Sequence, residues 1–340
     1  MKRQTRTLSA EAVLGLAAVA AATLGAAPLQ AETNLRFASI AGPTAYINTG
    51  ILEPWFEDIT GACNGEISVE LLSAASAARP QDVFESVEDG LVDFAWGVMP
   101  FSPGRFPEGS VVELPLLANT TAEASPAMWG LYEEGLLSGF DGVKVLSVSS
   151  SAMFTFHAAE DLDGLDGMSG LRTRVSGATA SEVMKELGAT PLGLPIPAVA
   201  ENLARHTIDA VATDWYAIEG WGIMDLVSAH IDIPLGAAGI YLIMNTGTWD
   251  GLSAECQAGV TELSGPAFAK RWGDGLTARS AQTRAALEAR GDTIIVPDAA
   301  AMEGLRGTFA PVEAAWIEAT PNGQSVIDRF RELVAGGAAE

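Results

Sequence analysis

From Leu35 onward, the spacing of apolar side chains switches between two residues and three-to-four residues, the signature of strands alternating with helices. Residues 35–39 read as a strand, broken by Gly42-Pro43. Ile47, Ile51, Trp55 and Ile59 then mark one face of a helix over about 46–60, with a turn over 61–65. Residues 67–72 form a second strand, 80–88 a helix stopped by Gly90, and 91–96 a third strand. This β-α-β-α-β order predicts a parallel, doubly wound sheet. The stretch 100–107 is too rich in proline for a regular element. It reads as a loop past the carboxyl end of a strand, where binding loops of open α/β sheets lie.

Order resumes with Glu113-Leu-Pro115, then a helix over 124–137, strands over 144–148 and 153–157, and an acidic loop over 160–166. In the octapeptide 170–177, Leu171, Thr173 and Val175 alternate with Arg172 and Arg174, the period of a short strand with one dry face. A helix start follows at Thr179-Ala-Ser181-Glu182, and Gly188 is its natural stop. A guanidinium therefore stands at a strand's carboxyl end beside a helix amino-terminus, and both suit an anion, most simply a carboxylate. The alternative is two arginines on a solvated strand face.

Val87-Glu-Asp-Gly-Leu-Val-Asp93 is echoed by Leu203-Ala-Arg-His-Thr-Ile-Asp209. Each is a helix end, a tight turn and a strand whose first polar residue is aspartate, so one helix-turn-strand unit is used in two similar α/β lobes. The second copy brings Thr213, Asp214 and Trp215 to a strand's carboxyl end. The rest reads as a buried strand (240–245), a helix (252–263) with Ser253 as N-cap, and a long polar helix (267–290). A strand (293–296) and a helical tail broken near Pro321-Asn-Gly323 complete the chain. No low-complexity linker occurs, so crossing strands and a helix must join the lobes, as in hinge proteins.

The amino-terminus changes the picture of location. A basic start, Met1 to Arg6, leads into an Ala- and Leu-rich run over 12–29 that ends Leu29-Gln-Ala31. That is a secretory signal peptide with cleavage after Ala31 and a periplasmic destination; an uncleaved anchor of similar length is the alternative. Formal net charge is −24, and removal of residues 1–31, with three basic residues and one acidic, leaves about −26. Such a surface repels phosphate backbones and anionic headgroups, which argues against nucleic acid and lipid as partners. Any anion site must be a local positive spot in a negative field. Cys63 and Cys256 are either one disulfide, fitting an exported chain, or two buried thiols. They are too few for a structural zinc site, and His157, His206 and His230 lack ligand spacing, so no metal or cofactor is called for.

No G-x-S-x-G elbow, P-loop or strand-borne G-x-G-x-x-G occurs. Trp96, Phe154, Trp215, Tyr216 and Tyr241 fall near predicted strand ends and are candidates to face a ligand, each with burial in the core as its alternative. Asp214 is a candidate acceptor for a ligand hydroxyl or amine. Arg105 is either an anion contact or an anchor for its own loop.

An exported chain carrying Gly170-Leu-Arg-Thr-Arg174-Val, Leu187-Gly-Ala-Thr-Pro191-Leu, Ile208-Asp209-Ala and Leu242-Ile-Met-Asn245 in that order resembles the DctP-like substrate-binding proteins of tripartite ATP-independent periplasmic (TRAP) transporters. The resemblance extends from about residue 35 to the carboxyl terminus. It implies a type II-like binding-protein fold: two lobes, each a doubly wound mixed α/β sheet, hinge strands, and a long helix across both. Lobe I would hold 32–151 plus 240–280, and lobe II 152–239 plus 281–340. On that layout Cys63 and Cys256 share a lobe, in favour of the bridge. The resemblance further implies a monomer, not an enzyme, that captures a small carboxylate between its lobes and delivers it to membrane permease subunits. Arg174 would grip the carboxylate, with Trp96, Phe154, Thr213, Asp214, Trp215 and Tyr241 around it. The competing readings are the binding component of an ABC importer or sensor, and an exported enzyme. Sialic-acid binders of the family carry a second arginine where this chain has Phe154, and Asn-Pro where it has Thr213-Asp214. The usual Asp-Gly is Asp209-Ala210 here. An acid with an apolar or aromatic body, or with a hydroxyl or amine for Asp214, fits better.

Overall fold

The computed structural model describes residues 32–73 and 78–337; the predicted signal peptide over 1–31 lies outside them. In chain order the strands are β1 (Thr33–Ser39), β2 (Ile67–Ser73), β3 (Phe94–Val98), β4 (Val143–Ser150), β5 (Phe154–Ala158), β6 (Arg172–Val175), β7 (Thr190–Gly193), β8 (Ala210–Asp214), β9 (Ala229–Ile231), β10 (Gly239–Asn245) and β11 (Thr293–Ile295). The helices are α1 (Glu53–Ala62), α2 (Val83–Glu88), α3 (Thr121–Glu133), α4 (Ala178–Glu186), α5 (Val199–Ala204), α6 (Trp215–Gly220), α7 (Thr246–Gly251), α8 (Ala254–Glu262), α9 (Gly265–Arg290), α10 (Ala299–Ala319) and α11 (Gly323–Gly337).

Two mixed sheets organise the molecule, with the strand orders β2-β1-β3-β10-β4 and β11-β9-β5-β8-β6-β7. In the first, β1 runs parallel to β2 and β3, and β10 is inserted antiparallel between β3 and β4. In the second, β5 is antiparallel to β8 and β9, whereas β6 is parallel to β7 and β8. The two-lobed α/β architecture matches the fold implied above. The core of the first lobe is aromatic: Phe37 packs edge-on against Phe56 and Phe94, and Trp55 against Phe268. Each such ring, fully buried, contributes about 2–3 kcal/mol. Cys63 and Cys256 are joined by a disulfide that ties the end of α1 to α8. Ser253 caps α8, accepting from the Cys256 amide at 3.1 Å, as predicted for that serine.

The lobes are joined by the segments 150–154 and 232–238 and by α9. The two segments bond each other: the Ser151 amide donates to the Ala238 carbonyl at 2.8 Å, and the Ala238 amide to Ser151 Oγ at 2.9 Å. The amino-terminal half of α9 lies on the first sheet, where Trp272 Nε1 donates to the Ser150 carbonyl at 2.8 Å. Its other half lies on the second lobe, where Arg284 pairs with Asp232 at 2.6 Å and Thr283 donates to Glu219 at 2.9 Å. The chain ends differently from the expectation that gave residues 281–340 to the second lobe. Helix α11 buries Val326, Ile327 and Phe330, and Arg329 pairs with Glu134, just past α3 of the first lobe, at 2.7 Å.

The internal echo is structural as well. Asp93 accepts from the Arg36 amide at 2.8 Å and from Arg36 Nε at 3.3 Å. Asp209 accepts from the Arg172 amide at 2.9 Å and from Arg172 Nε at 2.8 Å. In each lobe the aspartate that opens a strand is thus clamped by an arginine on the strand beside it. Gly90 and His206, three residues before each aspartate, both adopt positive φ, 70° and 53°.

Candidate ligand-binding site

Arg172 and Arg174 sit on one strand and have different fates. Arg172 opens β6, stays exposed and is spent on Asp209. Arg174, two residues inward, is 5% exposed because β7 and β8 flank the strand. Its Nε donates to the Leu194 carbonyl at 2.9 Å. That is the only hydrogen bond its guanidinium makes to a described residue, so both terminal nitrogens remain available. Burial lowers its pKa to about 10, opposed by the charge of Asp214, so it stays protonated at neutral pH.

The guanidinium lines a cavity of about 310 Å³. Its floor is Val175 to Ala178, the approach to α4, with Ser181 one turn along; Leu194 and Pro195 form one wall. Phe101, from the turn after β3 in the other lobe, lines it as well. The proline-rich loop predicted to carry a binding function thus supplies the first lobe's apolar surface. A second lobe-to-lobe contact lies at Tyr46 and Tyr216, whose ring centroids are 6.3 Å apart. The Ile47 amide donates to Tyr216 Oη at 3.5 Å, and the Arg279 guanidinium stands 5.6 Å over the Tyr46 ring.

Asp214 ends β8 and caps α6, accepting from the Ala217 amide at 2.7 Å. It is 7% exposed, and burial pushes its carboxyl up to about 7, against its backbone hydrogen bonds and the charge of Arg174. Glu113 is also pushed up to about 7 by burial, with a hydrogen bond from the Thr179 side chain acting the other way. Glu113 belongs to the other lobe, so its carboxyl meets the start of α4 across the cleft.

The remaining candidates are distributed otherwise. Phe154 and Thr213 lie at the ends of β5 and β8, in register with Asp214 and Thr155, and are buried at 9% and 3% exposure. Trp96 lies within β3, its indole donating to Ser39 Oγ at 2.8 Å; Ser39 in turn bonds Asn48 at 2.6 Å. This chain of bonds fixes the loop that carries Tyr46. Trp215 is the first residue of α6 and turns into the second core, against His157 at 4.8 Å and His230 at 5.0 Å. Tyr241 is fully buried beneath α2, edge-on to Phe84 at 5.5 Å. It occupies the space over its cross-strand partner Gly97, where an added Cβ would lie 2.2 Å from the Tyr241 hydroxyl. The three rings point into cores, and strand-end position alone could not reveal this, because both faces of each sheet are covered. Arg105 anchors its own loop: it pairs with Glu85 at 3.4 Å and lies 3.9 Å over the Phe84 ring.

Sequence reasoning missed Phe101, Tyr46 and Glu113 as cleft residues. The proline-rich loop was the signal for the first; Glu113-Leu-Pro115, read only as the point where order resumes, gave no sign of the third.

Residues 37–318 match the model of the bacterial extracellular solute-binding protein, family 7 (DctP). The chain belongs to that family. It is 26% identical over 333 residues to a relative from Comamonas testosteroni named outer membrane transporter protein TsaT, covering 93% of this chain and 96% of that one. A TRAP solute-binding protein from a marine metagenome, described as specific for aromatic acid ligands, has a structure solved with metahydroxyphenylacetate. It matches with a TM-score of 0.84 at 26% identity, over 89% of this chain and 99% of that one. A TRAP periplasmic solute-binding protein from Bordetella bronchiseptica, solved with (R)- and (S)-mandelate, matches with a TM-score of 0.80 at 25% identity, over 89% and 99% of the two chains. This DctP-family chain is a TRAP solute-binding protein, the receptor component of a transporter completed by a membrane permease. No helix among the described residues is long and apolar enough to cross a membrane.

Proposed function

We propose that this receptor captures a small monocarboxylate with an aromatic or other apolar body, holds it between its lobes on Arg174, and releases it chemically unchanged to the permease. The observation that carries this reading is the buried guanidinium with two free terminal nitrogens at the wall of a 310 Å³ cavity. A carboxylate takes both nitrogens in a bidentate pair, and Phe101, Leu194 and Pro195 supply an apolar wall for the body. Asp214, beyond the arginine, offers an acceptor to a ligand hydroxyl. The aromatic acids bound by the marine and Bordetella proteins support this ligand class. A thermal-shift panel of benzoate, 3-hydroxybenzoate, mandelate and aliphatic acids is expected to pick out the aromatic monocarboxylates. Stabilisation by sugars or amines alone would overturn the reading, and recovery of an altered ligand would indicate an enzyme instead.

In this reading the chain is exported and cleaved after Ala31, supported by the basic start and apolar run ahead of the described residues. Amino-terminal sequencing of material from a bacterial periplasm is expected to begin at Glu32; a retained Met1 would mean an anchor.

Capture is also expected to be linked to protons. An incoming carboxylate raises the pKa of Asp214 further, so the complex binds more protons than the free protein. Affinity therefore rises as pH falls through about 7, until the ligand's own carboxylate begins to protonate near pH 4. Calorimetry at pH 6, 7 and 8 is expected to show a dissociation constant that grows with pH, with a flatter profile in Asp214→Asn. A flat wild-type profile would rule out the linkage.

A further inference from the structure

Glu113 is presented rigidly at the edge of the cavity. The Ala237 amide donates to the Val112 carbonyl at 2.8 Å, and the Leu116 amide to the Pro234 carbonyl at 3.0 Å, so crossing segment 232–238 pins the turn on both sides of it. Gly236, at φ +90°, lets this segment pass so close that an added Cβ would lie 2.2 Å from the Glu113 carbonyl. A Cβ on Gly177, which lines the cavity, would lie 3.6 Å from Glu113 Oε2. The Thr179 hydroxyl is the carboxyl's partner, and no lysine or arginine among the described residues pairs with it. The floor beyond Arg174 therefore ends on an uncompensated acid contributed by the opposite lobe.

We propose that Glu113 is a specificity-determining residue of the Arg174 site, which restricts capture to ligands with a single negative charge by repelling a second carboxylate at the α4 end of the cavity. This deepens the reading above and rests on it. One ligand carboxylate is held by Arg174, the only cation among the described residues that line the cavity. A second carboxylate at the α4 end of the same cavity approaches Glu113 from the first lobe, beside Gly177, with no further cation among the described lining residues. Because burial pushes the Glu113 carboxyl up to about 7, the repulsion acts above that pH and is capped by the cost of protonating Glu113 instead, roughly thirtyfold in affinity at pH 8.5. A neutral hydroxyl or ester at the same place suffers no such loss and can donate to or pack beside Glu113.

Isophthalate and its monomethyl ester, which share one carboxylate and one ring, test this by calorimetry at pH 8.5, where Glu113 is ionised in the free protein. The wild-type protein is expected to bind the monoester at least tenfold more tightly than the diacid, and Glu113→Gln to bring that ratio down at least fivefold. A diacid bound as tightly as the monoester by wild type, or a ratio unmoved in a Glu113→Gln protein with native circular dichroism, overturns the proposal. The wild-type comparison decides by itself should the variant fail to fold. If neither compound nor benzoate binds wild type, the carboxylate reading of the cavity has failed; if they bind and the ratio stays put, only the role of Glu113 has.

Discussion

Arg174→Ala is expected to weaken carboxylate binding by about 30- to 500-fold, roughly 2–4 kcal/mol, while leaving the fold intact. The size follows from burial. Arg174 is 5% exposed, so the cost of desolvating its charge is met in the free protein, and the ligand gains a nearly dry partner. Although burial lowers its pKa to about 10, three units separate that value from neutral pH, and the charge is present when the ligand arrives. The loss to folding should be small by comparison. Among the described residues the side chain's only hydrogen bond is to the Leu194 carbonyl, and removing a buried charge also removes its desolvation cost. Lysine should not rescue, since a point charge cannot reproduce both the bond to Leu194 and a two-pronged grip on a carboxylate. Calorimetry with benzoate or the best compound of the thermal-shift panel checks the affinity, and a melting curve without ligand checks the fold. An Arg174→Ala protein that binds within twofold of wild type would remove this residue from the site.

The contrast between Arg172 and Arg174 shows how far the sequence could be read. Their spacing put both on one face of a strand and raised an anion site there. What separates them is the helix-turn-strand echo, because Asp209 claims Arg172 just as Asp93 claims Arg36. Both halves of that echo were visible in the sequence, and the arginines they clamp were not. The fold was legible because its signals are local: apolar periodicity, Gly90 and Gly188 as stops, Ser253 as a cap. Two strands escaped for local reasons. Edge strand β7 contains Pro191 and Gly193, which an edge tolerates and a pattern search rejects, and β9 has three residues. The aromatic candidates depended on element boundaries. A strand expected over 91–96 is Phe94–Val98, which moves Trp96 from the end of β3 to its middle. Trp215 follows the strand end and begins α6, so its ring swings back over His157 and His230. The missed cleft residues Phe101, Tyr46 and Glu113 meet their counterparts across more than sixty positions of sequence, through hinges that no periodicity encodes.

Breaking the Cys63–Cys256 bridge is expected to produce the largest change in stability. The bridge joins positions 193 apart in sequence, and in the chain-entropy model a loop that long restrains the unfolded state by about 5 kcal/mol. Its neighbourhood adds to the effect. Cys63 and Cys256 are 3% and 0% exposed, and beside them Glu66 accepts hydrogen bonds from both the amide and the hydroxyl of Ser253. The bridge thus fastens α8, which arrives after the chain has built the second lobe, to α1 at the beginning. A double Cys→Ser variant would also bury two hydroxyls in an apolar cluster, so Cys→Ala at both positions is the cleaner change. Its urea midpoint should fall well below that of the oxidised wild type and match that of wild type reduced under the same conditions. Because both cysteines lie in the first lobe, far along the chain from β6 and β8, affinity for carboxylate in the absence of urea should change little. A Cys63→Ala/Cys256→Ala protein as resistant to urea as the oxidised chain would show that α1 and α8 are held together by their packing alone.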